Sequence, residues 1–153
     1  MPANLHHAQE LLRQQLGIDA FAGYSGSAVA FVSTIEDAVR GADLAVDCVP
    51  DELESKLEIL WLMDRMAPPN TVFCTPTTRL SIADLAACTY RPERCVGIAV
   101  EASELTGKAA AGCAEILLRI TGRTSEATVV LVRDFWERLG FAPRFETDPA
   151  DLG

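Results

Sequence analysis

The chain has 153 residues, of which 49% are apolar and 23% charged, and it carries a net charge of −9. That length supports one domain with a true core, and the composition is that of a globular protein, not a disordered one. The acidic balance repels phosphate backbones and argues against a nucleic-acid partner, and no apolar run approaches the roughly 20 residues that cross a bilayer.

The first segment, "MPANLHHAQELLRQQL", is polar with a helical pattern over 4–16, where Leu5, Leu12 and Leu16 share a face and Gly17 is the stop. It has no basic region followed by an apolar core, so it does not read as a signal peptide, and a cytoplasmic location is expected. "GIDAFAGYSGS" reads as a connector. "AVAFVST" (Ala28 to Thr34) reads as a short buried strand, and "TIEDAVRGAD" as a short helix with Thr34 at its N-cap and Glu36 and Asp37 in its first turn. "LAVDCV" is the second strand. It meets Pro50 and gives way to the amphipathic helix Asp51 to Met66, which "APPN" ends. "TVFCTPTT" is a third strand, "SIADLAACT" a helix capped by Ser81, and "CVGIAVE" a fourth strand. "GKAAAGCAEILLRITG" is ambiguous between helix and strand, with a strand favoured over Ala114 to Ile120; a helix from the Ser125 cap to Gly140 and a last strand, "APRFET", complete the pattern.

Strands alternating with helices predict βαβ units and a mostly parallel sheet. No repeat or linker divides the chain, so one domain over 1–153 is expected, with 1–27 as N-terminal helix and connector and 28–148 as core. The five cysteines are odd in number and form no CxxC pair; Cys48, Cys74 and Cys95 lie in or beside strands and read as buried thiols of a reducing compartment. The only histidines, His6 and His7, sit at the N-terminus, and no metal site is expected. Trp61 and Trp136 lie on amphipathic helices, where packing is their default role.

In open α/β sheets ligands bind where strands end and helices begin. The residues with chemistry at those places are Asp51, Glu54 and Lys56 after one strand, Thr77, Thr78 and Arg79 after the next, and Glu101 and Ser103 after the next. Each also has a plainer reading. Asp51, Glu52 and Glu54 suit the first turn of a helix, Lys56 could be a solvated partner of Glu52, and Thr77 to Arg79 could be a loop leading to the Ser81 cap. A parallel sheet would bring all of them to one rim.

The segment from Gly41 to Glu101, with "ADLAVDCVPDELESKLEILWLMDRMAPPNTVFCTPTTRLSIADLA" and "RPERCVGIAVE", resembles the NAD-binding domain of the 3-hydroxyacyl-CoA dehydrogenase family. The run "APPN" followed by "TPTTRLSI" and then "RPERCVG" carries most of the likeness, which extends more loosely over Ala28 to Asp148. The resemblance implies a Rossmann-like fold. It sets Asp51 at a cofactor-contacting Glu, Lys56 at a Lys one helical turn on, and Thr78 at a Ser that touches substrate. It also shows departures. The family's opening strand and GxGxxG turn have no counterpart, since "GYSGS" follows a helix. Pro76 replaces an Asn, removing a side-chain donor and a backbone N–H. Ala99 stands at the family's catalytic histidine, with Glu115 a candidate for that histidine's glutamate partner. The family's helical C-terminal domain would lie beyond Gly153.

The reading is therefore a truncated, degenerate relative: an α/β fold, Rossmann-like but lacking the first βαβ unit. The expected function is a cofactor-independent enzyme that dehydrates, isomerises or cyclises an acyl thioester or polyketide-like substrate. Glu101, Lys56, Asp51, Thr78 and Glu115 would be catalytic, and Glu54, Thr77, Arg79 and Ser103 would bind substrate, with no cofactor or metal. The alternative is a non-catalytic binding module, with a genuine NAD-dependent dehydrogenase third. Without the family's first strands, "LAVDCV" or "AVAFVST" becomes an open edge, so a homodimer through that edge or through the N-terminal helix is expected, with a small-molecule substrate and neither nucleic acid nor membrane as partner.

Overall fold

The computed structural model describes residues 30–105 and 114–152, together with His7 and Glu10. Five strands form one sheet in the order β1 (Leu44–Val46), β2 (Val72–Pro76), β3 (Cys95–Ile98), β4 (Glu115–Ile120) and β5 (Ala142–Thr147). The first three run parallel, β4 runs antiparallel to β3, and β5 is parallel to β4. The carboxyl ends of β1, β2 and β3 therefore meet the amino end of β4 at one edge of the layer.

Helices cover both faces. On one side lie α1 (Ile35–Val39), α2 (Leu53–Met66) and α3 (Ile82–Ala87), around a core of Val39, Leu60, Met63, Phe73, Ile82, Leu85 and Cys95. On the other lies α4 (Glu126–Arg138), with Val132 and Trp136 against Val72, Cys74, Val96, Ile98, Ile116 and Leu118. β2 is buried at every position, as a central parallel strand must be.

Three N-caps follow the sequence pattern. Thr34, Ser81 and Ser125 accept the backbone N–H groups of Asp37, Asp84 and Thr128. The cap of α3 is doubled from a distance: Asp148, buried just beyond β5, accepts the Ala83 N–H (2.8 Å) and the Ser81 hydroxyl (3.2 Å). Arg91 is a second long-range tie. It is 7% exposed, bonds Asp64 through Nε (2.7 Å), reaches the carbonyls of Asp64, Pro68 and Thr71, and lies over the Phe73 ring.

Several expectations change. Residues 30–34 of the expected strand "AVAFVST" form no strand; they lead as irregular chain into α1, and residues 28 and 29 lie outside the described residues. The strand "LAVDCV" keeps only Leu44–Val46, because Asp47 turns its carboxylate into the layer and Pro50 follows. Among the described residues β1 has no partner on its outer side. Cys74 and Cys95 are buried as expected, whereas Cys48 is exposed and Cys113 lies outside the described residues. Trp136 is core, but Trp61 is 52% exposed, with the Arg65 guanidinium over its ring. The N-terminal helix falls outside the described residues except for His7 and Glu10, which are both helical.

Gly97, on β3, leaves no room for a side chain. A Cβ there would overlap the Cγ1 and Cδ1 atoms of Ile82, which is fully buried. Gly97→Ala should therefore cost about 1–3 kcal/mol in urea denaturation, and adding Ile82→Val should recover part of the loss.

Candidate active site at the strand ends

The loop from β1 to α2 builds the site. Glu52 occupies the N-cap of α2 without a side-chain cap bond, so the adjacent carboxylate, Asp51, is free to face the next loop. It accepts the Thr77 hydroxyl at Oδ1, and the Thr78 N–H (3.0 Å) and hydroxyl (3.3 Å) at Oδ2. Arg79 donates to the Asp51 backbone carbonyl at 2.6 Å. Thr77 is buried and also accepts the N–H groups of Arg79 and Leu80, so its hydroxyl sets the turn that presents Thr78. Desolvation by partial burial raises the Asp51 pKa, but the Thr77 and Thr78 hydrogen bonds and the nearby Lys56 charge outweigh it, and the group titrates below 3.8.

A cavity of about 230 Å³ opens beside this carboxylate, lined by Cys48, Val49, Pro50, Asp51, Pro76, Glu101, Ala102 and Ser103. The structure thus brings Asp51, Glu101 and Ser103 to one wall, with Thr77, Thr78 and Arg79 behind Asp51. Cys48 shares the wall as a thiol, since burial and then the Asp47 charge raise its pKa against the opposing effect of Lys56.

Three expected site residues stand elsewhere. Lys56 is fully buried, and its Nζ lies 2.6 Å from Oδ1 of Asp47, whose side chain is equally buried; neither the solvated position nor a pairing with Glu52 holds. Its place explains this: Lys56, Leu60 and Met63 are the buried residues of α2, at the spacing of one helix face. Glu115 lies at the correct end of the sheet, since β4 runs antiparallel to β3, but it points to β5, where it pairs with Arg144 at 2.6 Å. Glu54 is exposed in the first turn of α2 and does not line the cavity. Ala99, past the end of β3, presents a methyl group and donates its N–H to the Leu117 carbonyl. Sequence reasoning missed Asp47 altogether; a carboxylate within an otherwise apolar run, followed nine residues later by a lysine on an apolar stripe, was the available signal.

A mostly parallel sheet with helices on both faces and a carboxylate at the strand ends defines a Rossmann-like domain. Residues 6–100 match the 3-hydroxyacyl-CoA dehydrogenase, NAD binding domain, and the chain belongs to that family. It is 31% identical over 70 residues to a probable 3-hydroxybutyryl-CoA dehydrogenase of Bacillus subtilis, a match covering 46% of this chain and 24% of the relative. It is 37% identical over 83 residues to the L-carnitine dehydrogenase of Oceanobacillus iheyensis, covering 54% and 26%. These matches span about a quarter of the curated relatives' length. Among solved structures, 3-hydroxybutyryl-CoA dehydrogenase from Escherichia coli superposes with a TM-score of 0.76 at 20% identity, covering 96% of this chain and 31% of that one. A 5-formyl-3-hydroxy-2-methylpyridine 4-carboxylic acid 5-dehydrogenase described as an NAD+-dependent dismutase gives 0.74 at 27% identity, covering 97% and 48%.

These matches overturn the expected function. A cofactor-independent lyase, isomerase or cyclase was inferred from the missing glycine turn and from Ala99. The family is one of NAD-binding domains, and the relatives are dehydrogenases. No helix among the described residues is long and apolar enough to cross a membrane, and no three His, Cys, Asp or Glu side chains among them gather as metal ligands.

Because folding lowers the Asp51 pKa, its contribution to stability is fully present above 3.8 and is lost as pH falls through the lower folded value. Asp51→Asn should be less stable than wild type at neutral pH by about 1 kcal/mol, solvent screening included. That gap should close as urea denaturation is repeated at successively more acid pH below 3.8.

Proposed function

We propose that this chain supplies the nicotinamide side of an NAD-dependent oxidoreductase of the 3-hydroxyacyl type, acting on a secondary alcohol beta to a carboxyl derivative. The observation that carries the reading is the Asp51 carboxylate, fixed by Thr77 and Thr78 at the end of β1 beside the cavity. Oδ1 accepts a single hydrogen bond and keeps a lone pair that suits a ribose hydroxyl. A cavity of about 230 Å³ is smaller than sites for whole drug-sized ligands; it suits a nicotinamide ring and its ribose, with the rest of the dinucleotide outside. The residues present therefore fit that half of the cofactor. NAD, when bound, supplies hydride exchange with the alcohol carbon.

The chain's own residues do the rest. Asp51 orients the ribose. Pro76, Val49 and Ala102 give the cavity apolar wall that excludes water from the ring. Glu101, on the same wall, takes the proton of the substrate hydroxyl as the carbonyl forms, and Ser103 hydrogen-bonds the substrate oxygen. Ala99 cannot exchange a proton, so Glu101 is the base of this reading.

Titration of NADH fluorescence with the chain tests it. Saturable binding is expected, weakened about tenfold by Asp51→Asn through loss of a charge-assisted acceptor. Oxidation of L-carnitine or 3-hydroxybutyryl-CoA with NAD should be lost in Glu101→Gln. Absence of NADH binding by the wild-type chain at millimolar cofactor overturns the reading.

A further inference from the structure

The Asp47–Lys56 pair lies outside the cavity, yet it closes the loop that makes the cavity. Asp47 follows β1, donating its N–H to the Cys74 carbonyl, and Lys56 sits in the first turn of α2. Between them, the loop 48–52 and the first residues of α2 form a segment tied at its base by the 2.6 Å contact. Four of the eight cavity-lining residues, Cys48, Val49, Pro50 and Asp51, belong to that loop. Its tip is tied separately, through Asp51 to Thr77, Thr78 and Arg79.

The pair is built into the layer. Ala45 and Phe73 pack on the α2 side of the sheet and are paired across β1 and β2. Alternation carries Asp47 and Thr75 to that same side, one step further along. There, Oδ2 of Asp47 and Oγ1 of Thr75 are both buried without a hydrogen-bond partner among the described residues. Lys56 is thus the ionic partner that keeps the Asp47 carboxylate in the interior, and the α2 start is drawn onto β1.

We propose that Asp47 is a positioning residue of the cofactor cavity, acting through Lys56 to hold the β1–α2 segment 48–55, and hence Asp51, in place. This rests on the cavity being the nicotinamide riboside site. The loop-closing part is read independently of any ligand.

Amide hydrogen exchange by mass spectrometry, with NADH titration beside it, tests this on wild type, Asp47→Asn, Lys56→Met and the double variant. Exchange over 48–55 should speed about tenfold in each single variant while β4 stays unchanged. The double variant should be no faster than either single one, since one tie is removed once. NADH binding should weaken in parallel, by about tenfold. Unchanged exchange over 48–55 in Asp47→Asn, or effects that add in the double variant, overturns the proposal. If Asp47→Asn does not fold, Asp47→Leu with Lys56→Met removes both buried charges, and wild-type exchange over 48–55 in that pair overturns the proposal equally. Absent NADH binding in wild type sinks the dehydrogenase reading, and the exchange data still decide the loop.

Discussion

An ammonium and a carboxylate, both fully buried and 2.6 Å apart, join the end of β1 to the start of α2, and the strand-end site depends on that contact. Isolated in the layer, either charge would be costly to bury. Removing one partner of such a pair typically costs about 3–5 kcal/mol, because the other is left uncompensated. The pair therefore fixes the two ends of the intervening loop relative to each other. It turns the apolar stripe of α2, with Leu60 and Met63 below Lys56, toward the sheet in a single rotation. The rest of the loop can then lean on Thr77 and Thr78 with no further anchor in the core.

The chemistry at this rim divides between a fixed group and a variable one. Asp51 is held by three hydrogen bonds from two residues and stays ionised to lower pH than an ordinary aspartate. Ligand recognition at such a position loses little to reorganisation. In the proposed reading, the proton-transfer position is less constrained. Ala99 offers no titrating atom, and the second carboxylate of the cavity, Glu101, sits after β3, just before the helical residues 102–105. In the proposed reading, a ribose-binding carboxylate stands beside a proton-transfer position altered by Ala99.

Much of this was legible in the sequence. The βα alternation, the Ser81 and Ser125 caps, the strand at the start of β4 and the convergence of Asp51, Thr77, Thr78, Glu101 and Ser103 on one rim follow from local patterns that the packing does not oppose. What escaped depends on partners far away in the chain. Lys56 was expected in the catalytic set, with a solvated helix position as the plainer reading, because its charge outweighed its phase on the helix; Asp47 makes its burial possible. Glu115 was placed by likeness to a family position, whereas Arg144 on the neighbouring strand draws it away. "AVAFVST" has the composition of a strand, but composition supplies no neighbour, and the described part of it pairs with nothing. The functional expectation failed for a related reason: two missing motif positions were weighed above the family to which the whole segment belongs.

Asp148 ties the two ends of the order in which the chain is made. Ser81 can cap α3 as soon as residues 81–84 exist, but the second acceptor, for the Ala83 N–H, lies 65 residues further on. The helix beside the Thr77–Arg79 turn is therefore completed only when β5 has added to β4 and placed Asp148 behind it. During synthesis the β1–β3 side of the sheet would be assembled early and finished last. Shortening the chain before residue 148 would be felt at the far side of the domain, in the turn that holds Asp51.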